Sequence, residues 1–83
     1  MDKVWYLYIL ECKDGTLYTG ITDDVERRIA QHNGGTGAKY TRGRGPVKLL
    51  YREECGSRSD ASKREYAVHR MTRQEKLDLI QNA

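Results

Sequence analysis

Val4 to Leu10 reads VWYLYIL, seven residues with no polar face. Alternation sends Val4, Tyr6, Tyr8 and Leu10 to one side and Trp5, Leu7 and Ile9 to the other. A strand made of them must therefore be covered on both sides. In a chain of 83 residues the core is small, and this strand is expected at its centre. Lys13-Asp14-Gly15 supplies turn chemistry, and Leu17 to Ile21 returns as a second strand, so the pair is expected to form an antiparallel hairpin.

Asp23 followed by Glu26 has the spacing of a capping box, and Val25, Ile29 and Ala30 give a short amphipathic helix that ends at Asn33-Gly34-Gly35. Gly34 to Pro46 is rich in glycine and basic residues without a hydrophobic period, which predicts a mobile loop. Val47 to Tyr51 follows Pro46 as a third strand. Ser59 is placed to cap a second helix running to about Met71, and Thr72 with Glu75 forms a further capping box ahead of Leu77, Leu79 and Ile80. The expected fold is α+β: one domain over residues 1–83, a small three-stranded antiparallel sheet flanked by three helices in the order β-β-α-β-α-α.

Net charge is only +3, yet Lys39, Arg42, Arg44 and Lys48 crowd one short segment, and Arg27, Arg28, Arg52, Arg58, Lys63 and Arg64 add more. A locally basic face suits a polyanion, most simply nucleic acid, although Lys and Arg also merely solvate small proteins. No stretch is long enough to span a bilayer, and the N-terminus lacks the basic-then-apolar order of a signal peptide, so a cytoplasmic protein is expected. Cys12 and Cys55 are expected to stay reduced, and with no CxxC spacing and no clustered histidines they do not suggest zinc.

On the second helix Ala61, Glu65 and Val68 recur at i, i+4 and i+7, so Glu65 falls on the stripe that should face the core. A carboxylate there needs a partner. It is either half of a structural ion pair with an arginine or a ligand for a hard divalent ion that keeps several waters. Arg28 and His32 are one turn apart on a shared helical face. Arginine suits a phosphate because its fork donates two parallel hydrogen bonds without losing charge, and histidine moves a proton near neutral pH. Each also has a plain reading, as a solvated charge and as a helix C-terminal cap. Tyr6 and Tyr8 share a strand face, and the hairpin brings Tyr18 near one of them. Tyrosine is common in strands for packing alone, but a phenol beside an arginine can also hold an attacking water or, with its pKa lowered by positive charge, take its proton. His69 reads as a surface residue.

Taken together, Tyr6-Leu7-Tyr8, Leu17-Tyr18-Thr19-Gly20, Arg28 within Val25-Glu26-Arg27-Arg28, His32, and Glu65 within Ser62-Lys63-Arg64-Glu65-Tyr66 resemble a GIY-YIG domain. That nuclease module occurs in homing endonucleases and in repair nucleases that incise damaged or branched DNA. The order of all the parts matches, and the stretch from His32 to Pro46 is similar to the short stand-alone bacterial members. Tyr6 and Leu7 replace the glycine and isoleucine of the first motif, and Thr19 replaces an apolar residue of the second; the chemical groups are spared.

The resemblance implies Mg²⁺- or Mn²⁺-dependent hydrolysis of DNA, branched or nicked, by in-line attack of water. Glu65 would be the metal ligand, Arg28 would clamp nonbridging oxygens, and Tyr8 or Tyr18 would position or deprotonate the water with help from His32. Lys39, Arg42 and Arg44 would hold the nucleic-acid backbone. Relatives with a defined target usually owe it to an attached module, which implies a targeting partner protein here. The competing expectations are a non-catalytic nucleic-acid-binding module of the same fold and an interaction protein whose basic loop docks an acidic partner.

Overall fold

A computed structural model of the chain describes residues 3–37 and 43–82. The elements follow the expected order: β1 (Trp5–Glu11), β2 (Leu17–Thr22), α1 (Val25–Asn33), β3 (Lys48–Gly56), α2 (Arg58–His69) and α3 (Arg73–Gln81). The sheet runs β2-β1-β3, with both pairings antiparallel, so the strand without a polar face is the central one. Leu7, Tyr8, Ile9 and Leu10 are all buried, four in succession, which a strand achieves only when both faces are covered.

The two faces are covered by different helices. Leu7 and Ile9 pack with Val68 of α2 and with Leu79 and Ile80 of α3. Tyr8 and Leu10 pack on the opposite face with Cys12, Val47, Tyr18 and Ile29, the last supplied by α1. Cys12 and Cys55 belong to these two separate layers, and both are free thiols.

Three local expectations are corrected. Asp24, not Asp23, caps α1: its Oδ1 accepts the Arg27 amide at 3.1 Å, while Asp23 pairs with Lys3 and Glu26 with Arg52. Ser57, not Ser59, caps α2, in a capping box closed by Asp60 rather than by a glutamate. The third strand begins at Lys48 and runs to Gly56, well past Tyr51. Its polar continuation is an edge strand in which Arg52 lies over the Tyr6 ring and Glu53 accepts from Tyr51 and Arg64. Gly56 ends it with φ +84, a conformation that favours glycine and turns the chain into the α2 cap.

Part of the predicted loop, including Lys39 and Arg42, lies outside the described residues. Past it, Asn33 Oδ1 accepts the Val47 amide at 2.7 Å, tying the end of α1 to the approach to β3. Among the described residues no helix is long and apolar enough to cross a membrane.

Candidate active site

The site grows outward from Tyr8. Its partner across the hairpin is Gly20, and the ring lies over that residue: a Cβ added to Gly20 would stand 2.5 Å from Tyr8 Oη and 2.7 Å from Cζ. The glycine is therefore a seat for the ring. Tyr18, opposite Leu10, shares the face, with its ring centroid 6.3 Å from that of Tyr8.

From α1, His32 reaches the same spot. Its Nε2 is 2.9 Å from Tyr8 Oη, and its ring sits edge-on to both tyrosines at 5.9 and 5.2 Å. Only 2% of His32 is exposed, and Gly37 lies against it so closely that a Cβ there would be 2.5 Å from Nδ1. Arg28, one turn earlier on α1, donates from Nη1 to Gln31 Oε1 at 3.0 Å, and its charge bears on both phenols.

Burial dominates the electrostatics. It pushes the Tyr8 phenol up to about 12, with the Arg28 guanidinium pulling the other way and Tyr18 and Glu65 adding to the rise. Tyr18 is raised for the same leading reason. His32 is lowered, first by burial and then by the Arg28 charge. The expectation of a phenol with lowered pKa is thus reversed: with the chain alone, neutral phenols face a neutral imidazole.

Glu65 comes from α2. Ala61 and Val68 are fully buried as the stripe predicted, but the Glu65 side chain is 32% exposed. At about 100° per residue, Glu65 points roughly 60° away from Val68, enough to leave the core. It lines an open cleft of about 300 Å³ with Ser62, Tyr66 and His69, and its charge is felt by both tyrosines.

His69 is the surface residue expected, its side chain 54% exposed, and it also neighbours the site. Its Nε2 lies 3.2 Å from Thr19 O and 3.7 Å from Glu65 Oε2. It borders both the Glu65 cleft and a second cleft, of about 380 Å³, lined with Leu17, Tyr18, Thr19 and Lys76. The only hint in the sequence was its place one turn after Glu65.

The charges of Arg28 and Glu65 are therefore both brought to bear on Tyr8 and Tyr18, and that of Arg28 on His32 as well. Arg44 is engaged at the hairpin turn instead, its Nε 3.1 Å from Asp14 Oδ2.

The donor set suits a hard divalent ion. One water-accessible carboxylate at a cleft matches an ion that keeps most of its waters, and among the described residues no group of three His, Cys, Asp or Glu forms a closed cage.

A family model described as the GIY-YIG catalytic domain matches residues 4–78. A UPF0213 protein of Clostridium perfringens is 57% identical over 75 residues, covering 90% of this chain and 81% of that one. A UPF0213 protein of Staphylococcus saprophyticus is 55% identical over 80 residues and covers 96% of each chain. Two solution NMR structures share the fold. The UPF0213 protein of Bacillus halodurans has a TM-score of 0.61 at 50% identity, covering 94% of this chain and 83% of that one. A protein from E. faecalis has a TM-score of 0.67 at 42% identity, covering 98% and 86%.

Proposed function

The chain belongs to the GIY-YIG family, and we propose on that premise that it is a metal-dependent nuclease hydrolysing phosphodiester bonds of structured or damaged DNA. The observation that carries this reading is the 2.9 Å contact between Tyr8 Oη and His32 Nε2, two buried polar groups, with the charges of Arg28 and Glu65 both bearing on the Tyr8 phenol. A packing role alone gives a core no reason to hold such a polar cluster.

Glu65 would hold Mg²⁺ or Mn²⁺, which when bound stabilises negative charge on the leaving and nonbridging phosphate oxygens. Tyr8 is assigned as the base, its oxygen standing 2.9 Å from His32 Nε2, which accepts when the ring carries its proton on Nδ1. As water attacks phosphorus, Tyr8 Oη takes a water proton while its own proton passes to neutral His32 Nε2. The proton count balances, and no free phenolate is required at any stage. Tyr18, alongside, orients the water. Arg28 clamps the nonbridging oxygens and cannot give up its charge while doing so. Target choice in this reading falls to a partner protein or to the shape of the DNA itself.

The test is cleavage of branched, flapped and nicked DNAs with Mg²⁺ or Mn²⁺, with Glu65→Gln alongside. Cleavage should vanish with EDTA and with Glu65→Gln, while thermal unfolding of the variant stays close to the parent. Full activity of Glu65→Gln removes the metal role. DNA binding without products from any substrate would replace the nuclease by a binding module of the same fold.

A further inference from the structure

Among the described residues the large hydrophobic side chains left exposed are Val4, at 38%, and Tyr66, at 66%. Val4 precedes β1. Tyr66 sits in the body of α2, directly after Glu65, and lines the same cleft. It is not loose: Arg70, one turn on, places its guanidinium carbon 5.6 Å from the ring centroid and donates from Nη1 to Tyr66 Oη at 3.1 Å. A ring braced in this way has lost part of its rotamer freedom before any ligand arrives.

The surroundings select what can lie on it. Arg70 lies against the ring and Lys63, one turn earlier on α2, is exposed, so the aromatic surface has cationic company. That combination fits a ligand with a flat aromatic face and negative charge beside it, the chemistry of a nucleotide. Bases inside a duplex are already stacked and paired, so only an unpaired base is free to settle on a tyrosine.

We propose that Tyr66, braced by Arg70, is a stacking platform for an unpaired base of the strand whose phosphodiester enters the Glu65 cleft. This rests on reading that cleft as the cleavage site, and it names the substrate class: single strands, or duplexes with an unpaired segment at the cut. Damaged and branched DNA present such segments, whereas a perfect duplex does not.

The experiment is binding of the full chain, in EDTA so that nothing is cut, to a fluorescent single-stranded DNA and to the blunt duplex of the same sequence. Tyr66→Ala should weaken single-strand binding by about 5- to 150-fold, the equivalent of about 1–3 kcal/mol at 1.4 kcal/mol per tenfold, and Tyr66→Trp should restore it. Duplex binding should change less than about twofold, since the platform is unused there. An equal loss on both DNAs, no loss on either, or failure of tryptophan to rescue overturns the proposal. Tyr66 is exposed, so the variants are expected to fold, and a melting curve checks it. The outcome is separable from the nuclease reading: a protein that stacks but never cuts passes this assay and fails the cleavage assay, and one that cuts without stacking does the reverse.

Discussion

Tyr8 Oη fills the space that a side chain on Gly20 would take, and it lies 2.9 Å from the Nε2 of an imidazole whose charge burial suppresses. Replacing Gly20 with alanine forces the ring aside. Overpacking of this kind costs about 1–3 kcal/mol, to be read by urea unfolding, and cleavage should fall along with stability because the Oη–Nε2 contact is displaced. A Gly20→Ala variant with parental stability and activity would show that the ring has room to move. His32 gives a pH signature whose sign follows from its direction of shift. Its folded pKa is below the ordinary 6.5, so the unfolded chain binds protons more readily. The contribution of neutral His32 is complete above about 6.5 and is lost as pH falls toward the lowered folded value. Melting temperature should drop between pH 7.5 and 5 in the parent and drop less in His32→Gln; equal slopes would sink the assignment. The strand alternation and helical spacing made Tyr8, Tyr18, Arg28 and His32 legible beforehand. The raised phenols were not legible, since burial depends on the packing of α1 over the hairpin. Nor was His69 legible: the atom it meets on β2 is a backbone carbonyl, which carries no side-chain signal.

At the level of elements, the ends were harder to read than the bodies. Each helix was evident from its apolar residues, but α1 and α2 start one or two residues from where the cap pattern pointed. At α2 the reason is specific: Ser57 and Ser59 are both competent caps, and Gly56, with φ +84, delivers the chain so that Ser57 takes the position. Ser57→Ala should therefore cost about 1 kcal/mol of stability by chemical denaturation, and Ser59→Ala, exposed within the helix, a few tenths at most. Equal losses would return the cap to an open question. The consequence reaches the site, because the cap fixes where α2 begins and hence the angle at which Glu65 leaves the helix. The second half of β3 escaped notice because Arg52, Glu53 and Glu54 do not continue the apolar run; in the edge strand Arg52 pairs with Glu26, and Glu53 accepts from Tyr51 and Arg64.

For the whole molecule, the sheet explains why groups from three separate stretches converge. β1 is buried on both faces and cannot shift, β2 is an edge strand, and α1 and α2 cover opposite faces, so side chains from both can meet at the β2 edge. That convergence follows from the central apolar strand and was readable in outline. The electrostatic surface was not. Arg44, Arg52 and Arg64 count toward a basic chain in the sequence, yet in the fold they pair with Asp14, Glu26 and Glu53. Exposed pairs of this kind add little stability, but they spend charge that would otherwise draw a polyanion. Nucleic-acid binding should then be local and modest rather than the broad grip that the arginine count suggests. Neutralising phosphates contributes about 0.9 to the slope of log K against log salt for each contact on duplex DNA. With the paired arginines held closed, a footprint of about three phosphates or fewer gives a slope of about −3 or shallower. Titrations of duplex DNA across a salt series measure it directly, and a slope near −10 would mean that the ion pairs open on binding and the whole basic complement engages the backbone. A shallow slope leaves affinity to be supplied where the strand is distorted, at the tyrosine and arginine cluster.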